Sequence, residues 1–363
     1  MTATVYALVR RTARLVRARW RPAFWLLVLA FLPLVYFDSY FIHVMILSMI
    51  MAALASSWNL MLGYAGIFSF GHQAFFGLGA YISALLAMRV GLSPWLGMVA
   101  AGVVAAAVSP VIAVPCLRLR AAPYISIATL SFAEICRITA MNLVDITCGV
   151  LGLWGIPELF AGGDRLPSYY TILALLTMIL WAIARIVKSP LGLALCSVRE
   201  SQEAAEALGV DVARTKILAF SVSAFMAGVV GAFYAHYLVF LTPSSVFSVR
   251  VMVETATITL LGGLGTLTGP VLAALGTTLG LEYLRELGDY RLLLYGGGMV
   301  MLILFMPEGI VPRLRLLLKT QATQRGMGEG GPRNGALAGQ NQQVETPGAT
   351  EAIGAVDEQL QEL

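Results

Sequence analysis

Long apolar runs follow one another along most of this chain, and they constrain the fold more than any motif does. They cover approximately residues 22–37, 40–62, 72–88, 93–116, 121–141, 168–187, 216–241, 248–262, 270–285 and 290–306. A helix needs about 20 predominantly apolar residues to cross a bilayer. The bilayer core offers backbone groups no water, so only helices or closed barrels span it. The ten runs therefore predict an all-α, polytopic transmembrane bundle of about ten spans. Composition points the same way: 58% of residues are apolar and 12% charged, about half the roughly 25% charge of a soluble domain. That excludes a cytosolic enzyme, a secreted domain and a nucleic-acid-binding module.

The placement of charge orients the bundle. Of the 24 basic residues, all but Lys188, Lys216 and Lys319 are arginine. Residues 1–21 carry Arg10, Arg14, Arg17 and Arg21 on one helical face and Val5, Val9, Ala13, Val16 and Trp20 on another. This predicts an amphipathic basic segment lying on the lipid surface. A signal peptide is the alternative, but no small-x-small cleavage site ends the run 22–37, so an uncleaved first span is expected. Further basic clusters sit at Arg118 and Arg120, around loop 188–215, and at Arg313, Arg315 and Lys319. With ten spans all of them fall on the cytoplasmic side, with both termini, in an inner (plasma) membrane. Loop 142–167, on the other side, has Arg165 against Asp145, Glu158 and Asp164. Residues 22–319 form the expected membrane domain. Residues 320–363 contain no aromatic residue and read as a disordered polar tail. Cys116, Cys136, Cys148 and Cys196 show no paired spacing, so neither a disulfide nor a metal site is expected.

Two glycine-rich stretches interrupt the apolar runs. The first holds Gly63, Gly66, Ser69, Gly71, His72, Gln73 and Gly77; the second holds Gly262, Gly263, Gly265, Thr268, Gly269 and Gly276. A shift of 199 residues places Gly63, Gly66 and Gly77 on Gly262, Gly265 and Gly276, and Ser69 on Thr268. Corresponding broken helices in two halves mark a duplicated transporter, although chance remains an alternative where one residue in ten is glycine.

Loop 188–215 reads as a short, preformed cytoplasmic helix. Ser197 and Glu200 have capping-box spacing, Glu200 and Glu203 suit a positive helix start, and Gly209 suits its stop. Asp211 is placed to cap the helix that follows. Ala204, Ala205 and Leu208 predict a narrow apolar face, either a docking surface for a partner's groove or a face resting on the chain's own membrane domain.

Glu203, Ala204 and Ala205 followed by Gly209 resemble the EAA loop of ABC importer permeases, the helix that contacts the ATPase. The run Gly63, Gly66, Ser69, Gly71, His72, Phe75, Gly79, Ala80 and Tyr81 resembles the signature of the branched-chain amino acid permease family. So do Tyr124 to Thr129, Gly152 to Pro157, and Gly262, Gly263, Gly265, Thr266, Gly269 and Pro270. The resemblance covers about residues 50–310 and is greatest to the larger, M-type permeases. Thr147-Cys148-Gly149 departs from the family's usual Thr-Gly-Gly, and substrate identity is what that departure puts in doubt. The resemblance implies a type II ABC-importer-like fold and translocation of branched-chain or related hydrophobic amino acids. It also implies separate ATPase subunits, a second homologous permease as heterodimer partner, and an extracytoplasmic solute-binding protein. Arg199, Glu200, Glu203, Ala204, Ala205 and Gly209 would couple to the ATPase.

Ionisable residues within spans are functional candidates by default: His43, Glu134, Arg137, His236, Arg250 and Glu254. Glu134 with Arg137, and Arg250 with Glu254, are spaced to pair on one helical face. His236 continues the small-residue row Ala224, Gly228 and Ala232 and is expected to bond a neighbouring helix. The translocation path is expected near Asn59, Ser69, His72 and Gln73, at a break, with Thr129 and Glu134, and away from His43. The broken-helix glycines are Gly63, Gly66, Gly71, Gly262, Gly265 and Gly269. No P-loop occurs, so ATP and Mg would be bound by the partner ATPase and the chain carries no cofactor or catalytic residue. Urea or short amides are alternative solutes. An ion-coupled secondary transporter is the rival class; it would need a buried carboxylate at mid-membrane, for which Glu134 is the one candidate.

Overall fold

The computed structural model describes residues 29–33, 38–117, 122–160 and 165–287, with the isolated residues 290, 296, 297, 301 and 309. The N-terminal segment 1–21, the basic cluster at 118–120 and the tail 320–363 lie outside them.

Asp38 starts the first long helix. Its Oδ1 accepts from the Tyr40 amide at 3.1 Å, an N-cap that satisfies one of the free amides of a helix start. From there α1 runs Ser39–Asn59 and continues as a π turn, Leu60–Tyr64. The helices α2 (His72–Val90), α3 (Pro94–Leu117), α4 (Ala122–Asn142) and α5 (Arg165–Val187) follow. Then come two short helices, α6 (Pro190–Glu200) and α7 (Gln202–Ala207), and the longest, α8 (Val212–Leu238). The last are α9 (Val249–Gly262) and α10 (Gly269–Tyr283).

Among the described residues the regular structure is helical apart from one small ladder. In it β1 (Leu153–Trp154) pairs antiparallel with β2 (Phe240–Leu241), Leu153 opposite Leu241. Seven helical segments are long and apolar enough to cross a membrane: 39–64, 72–90, 94–116, 123–142, 165–187, 212–238 and 243–262. The expectation of ten spans is met only to that extent. The expected runs 22–37 and 290–306 lie mostly outside the described residues. The run 270–285 contains a helix of 15 residues, short of a span.

Two helices organise the packing. α1 lies against α5, α8, α9 and α10, while α8 lies against α2 and α3, which also meet each other. Trp58, Phe75, Phe76, Tyr169 and Phe233 fill the core. The α8 contacts use the small-residue row seen in the sequence. A Cβ on Gly79 would strike the Gly228 backbone, one on Gly231 the Phe76 carbonyl, and one on Gly228 would lie 2.8 Å from Ala105 Cβ. Small residues that admit a neighbouring backbone are the usual glue between membrane helices. His236 ends that row as expected: its Nε2 pairs with Ser83 Oγ at 2.8 Å and its Nδ1 with the Pro157 carbonyl at 2.8 Å.

Candidate functional site

The first glycine stretch is a break in helical structure, and side chains satisfy the backbone it frees. After the π turn, Gly66 turns the chain with a φ of +69° and an extended segment leads to α2. Trp58 Nε1 donates to the Ser69 carbonyl at 2.8 Å, and Ser126 Oγ to the Phe68 carbonyl at 3.1 Å. The Phe70 amide donates to Thr129 Oγ1 at 3.0 Å, and the Gly71 amide to Ser69 Oγ at 3.2 Å. Ser69 and Thr129 thus replace the bonds a continuous helix would have made. Gly71 is where α4 comes closest: a Cβ there would sit 2.5 Å from the Thr129 carbonyl oxygen.

The second stretch breaks the chain between α9 and α10, with Gly263 and Gly265 at φ +95° and +70°. Cβ atoms on Gly262 and Gly269 would each run into the other residue's backbone, so the two helix ends meet with nothing between them.

The two breaks lie side by side. Asn59 Nδ2 donates to the Thr266 carbonyl at 2.8 Å, and its Oδ1 accepts from the Gly265 amide at 3.0 Å. A Cβ on Gly63 would lie 2.5 Å from that same Gly265 nitrogen. Residues some 200 positions apart are clipped together by one buried amide.

Arg199 joins the cytoplasmic-loop helices to this clip. It stands one residue from the end of α6, and its Nη1 donates to the Gly63 carbonyl. Its Cα, Cβ and Cγ would lie 3.2, 3.3 and 3.1 Å from a Cβ on Gly66, and its Nη1 3.3 Å from one on Gly265. One guanidinium therefore touches both breaks.

The α6–α7 hairpin differs from the expected helix in two respects. Ser197 and Glu200 do not form a capping box. Pro190 opens α6 early, which leaves Ser197 inside the helix with its Oγ donating to the Ala194 carbonyl at 2.9 Å. Ser201, extended at φ −158°, takes the cap instead, its Oγ accepting from the Ala204 amide at 3.2 Å. Nor do Ala204, Ala205 and Leu208 share a face. Ala205 is 1% exposed, packed with Val198, Val210 and Val212, while Ala204 is exposed and Leu208 is 83% exposed. The outward surface carries Leu208 with Glu200, Glu203 and Glu206. Two expectations hold: Gly209 ends the turn at φ +84°, and Asp211 caps α8, accepting from the Arg214 amide at 2.9 Å.

Asn59, Ser69, His72, Gln73 and Thr129 are all buried around the first break. His72 Nε2 pairs with Ser57 Oγ at 2.8 Å. Among the described residues, the His72 Nδ1 and both polar atoms of the Gln73 amide have no hydrogen-bond partner. Leaving such groups unpaired costs roughly 1–3 kcal/mol each. Glu134 is elsewhere on α4, its side chain 40% exposed and bonded to Arg137 Nε at 2.9 and 3.0 Å. Arg250 and Glu254 likewise pair, at 2.8 Å. His43 lies away from the breaks but opens on a polar cavity at the opposite end of the bundle. Nothing in the sequence marks that cavity, because its lining residues are scattered over 200 positions.

Both glycine stretches and the hairpin fall in a region that is similar to known proteins. A family model described as "Branched-chain amino acid transport system / permease component" matches residues 40–305. The chain belongs to this permease family. It is similar to the high-affinity branched-chain amino acid transport system permease protein LivM of Salmonella typhimurium, 33% identical over 77% of this chain and 71% of that protein. The corresponding Escherichia coli protein is 34% identical over 75% of this chain and 70% of its own length. No solved structure matches. Membership makes the chain a membrane-embedded permease subunit, a transport component and not an enzyme. Cys148 stands out on its backbone: at φ +57° it occupies a left-handed conformation that favours glycine.

Proposed function

We propose that this chain is the M-type permease subunit of an ABC importer of branched-chain or related hydrophobic amino acids. In this reading it pairs with a second, homologous permease in a ten-span, type II-like arrangement. Both termini and the α6–α7 hairpin face the cytoplasm, and residues 1–21 lie on the lipid surface. Separate ATPases, which hold ATP and Mg, dock on the exposed face of the hairpin, and a solute-binding protein delivers substrate at the other end. Asn59, Ser69, His72, Gln73 and Thr129 border the closed path. Glu134, paired with Arg137 on the surface of α4, is the exception.

The observation that carries this reading is the Arg199 contact with both glycine breaks. A displacement of the hairpin by a partner has a direct lever on the two points where the helices are interrupted. The buried, unpaired polar atoms of His72 and Gln73 beside the first break favour rearrangement there, because opening gives them partners. The LivM relatives supply the substrate class.

The test is reconstitution with the partner subunits and binding protein. Arg199→Ala should keep the ATPase bound yet cut leucine uptake at least about tenfold, with ATP hydrolysis no longer tied to transport, as expected for loss of a charge-assisted bond of about 1.5–3 kcal/mol. Uptake unchanged in Arg199→Ala would overturn the lever. Uptake of urea or acetamide that leucine does not compete with would overturn the substrate class.

A further inference from the structure

Three helices converge at the end of the bundle opposite the hairpin. There α1 and α5 begin and α8 ends, around a cavity of about 270 Å³. It falls just below the roughly 300–1,000 Å³ of pockets for drug-sized ligands, so it suits a small solute. Its lining is chemically divided. Glu158 and Arg165 supply opposite charges, His43, Tyr237 and Ser168 supply neutral polar groups, and Leu159, Phe160 and Leu238 supply an apolar wall.

The two charges are not bonded to each other. Among the described residues neither Glu158 nor Arg165 belongs to an ion pair. The Arg165 Nη1 donates to the Ser39 carbonyl at 2.7 Å, which ties the guanidinium to the start of α1. A guanidinium has five N–H donors in a fixed fork, and among the described residues this is the one bond its side chain makes. Glu158 is carried on a strap that is held in three ways. The β1–β2 ladder fixes its beginning, the Ile156 amide donates to the Val239 carbonyl at 3.3 Å, and buried His236 bonds the Pro157 carbonyl. Also in the lining, His43 Nδ1 and the Tyr237 hydroxyl are 2.6 Å apart and hold each other's rings. A separated carboxylate and guanidinium on anchored elements, with an apolar wall beside them, form a preorganised receptor for a molecule that carries both charges and an aliphatic group.

We propose that this cavity is a binding site for a zwitterionic aliphatic α-amino acid. Its ammonium pairs with Glu158, its carboxylate with Arg165, and its side chain rests on Leu159, Phe160 and Leu238. The proposal rests on the permease reading above and adds to it that this chain itself selects solute, at the mouth away from the ATPase. An amide such as urea has no charge to offer either group, and a simple carboxylate or amine satisfies only one.

The experiment is equilibrium binding of radiolabelled L-leucine to the full-length chain assembled with its partner subunits in lipid nanodiscs, without the binding protein. Saturable binding is expected. The isosteric Glu158→Gln and the charge-removing Arg165→Gln should each weaken it at least about tenfold, the scale of losing one charge-assisted contact, and Arg165→Lys should weaken it less. Isocaproate and isoamylamine, which each keep one of leucine's two charged groups, should compete poorly. Each variant is compared at equal yield of assembled complex. Absence of saturable binding in the unmodified complex, equal affinity in Glu158→Gln, or competition by urea as strong as by leucine would overturn the site. Leucine uptake by the complete system is measured alongside. Uptake without binding at this cavity overturns the site and leaves the permease reading standing. No leucine uptake by a fully assembled system overturns both.

Discussion

Arg199 does work that lysine cannot copy. Its planar fork reaches the Gly63 carbonyl while the stem lies along Gly66, and an ammonium would supply a point charge without that span. Cys148 is the opposite case, a side chain where the backbone favours none. Its amide closes a helical turn on the Val144 carbonyl at 3.0 Å, and its φ of +57° is a region that costs a non-glycine residue roughly 1–2 kcal/mol. Glycine gives back about 0.5–1 kcal/mol through the entropy of its unfolded chain. Cys148→Gly is therefore expected to stabilise the protein by about 0.5–1 kcal/mol, read as a higher thermal midpoint in detergent. Cys148→Val should lower that midpoint, since a β-branched residue tolerates positive φ poorly. A midpoint that falls in Cys148→Gly would show that the thiol makes a contact worth more than the strain.

At the scale of elements, the hairpin separates a folding role from a docking role. Ala205 closes a small cluster with Val198, Val210 and Val212, so Ala205→Trp is expected to spoil the hairpin itself. Overpacking such a site typically costs about 1–3 kcal/mol, and protease sensitivity of the loop should rise before any partner is added. Leu208→Glu should leave the hairpin intact, because Leu208 stands in the open, and should weaken co-purification of the ATPase. If Leu208→Glu binds ATPase normally, this face is not the docking surface. The position of the hairpin, its stop at Gly209 and its cap at Asp211 were legible in the sequence, because each depends on a residue's own backbone preference. The inward turn of Ala205 was not. It follows from Ser201 taking the cap in place of Ser197, and the two serines differ only in where Pro190 makes the helix begin. The reach of Arg199 to Gly63 was equally hidden, since no local pattern records a contact across 136 positions.

For the whole molecule, the apolar runs and the two glycine interruptions carried most of the architecture. Seven of the expected spans are helices of sufficient length, and Gly63 and Gly265, one from each glycine stretch, lie against each other. The polar cavity at the far end leaves no mark in the sequence, because Glu158, Arg165, His43 and Tyr237 come from four separate segments. The tail is placed by composition alone: residues 320–363 lack aromatic residues and supply little that could pack. A chain stopped after Thr320 is expected to insert at normal abundance and to support full uptake. Loss of uptake at normal abundance would assign the tail a part in assembly.

The contact of α8 with α2 and α3 also decides which parts can move. Where Gly228 and Gly231 press on the backbone of Gly79 and Phe76, no side chain is present to swing aside and let one helix slide on the other. In kinematic terms this backbone-to-backbone contact is the stiffest seam expected between the helices. Compliance is expected instead at the two interruptions that Asn59 joins, where glycine replaces helix.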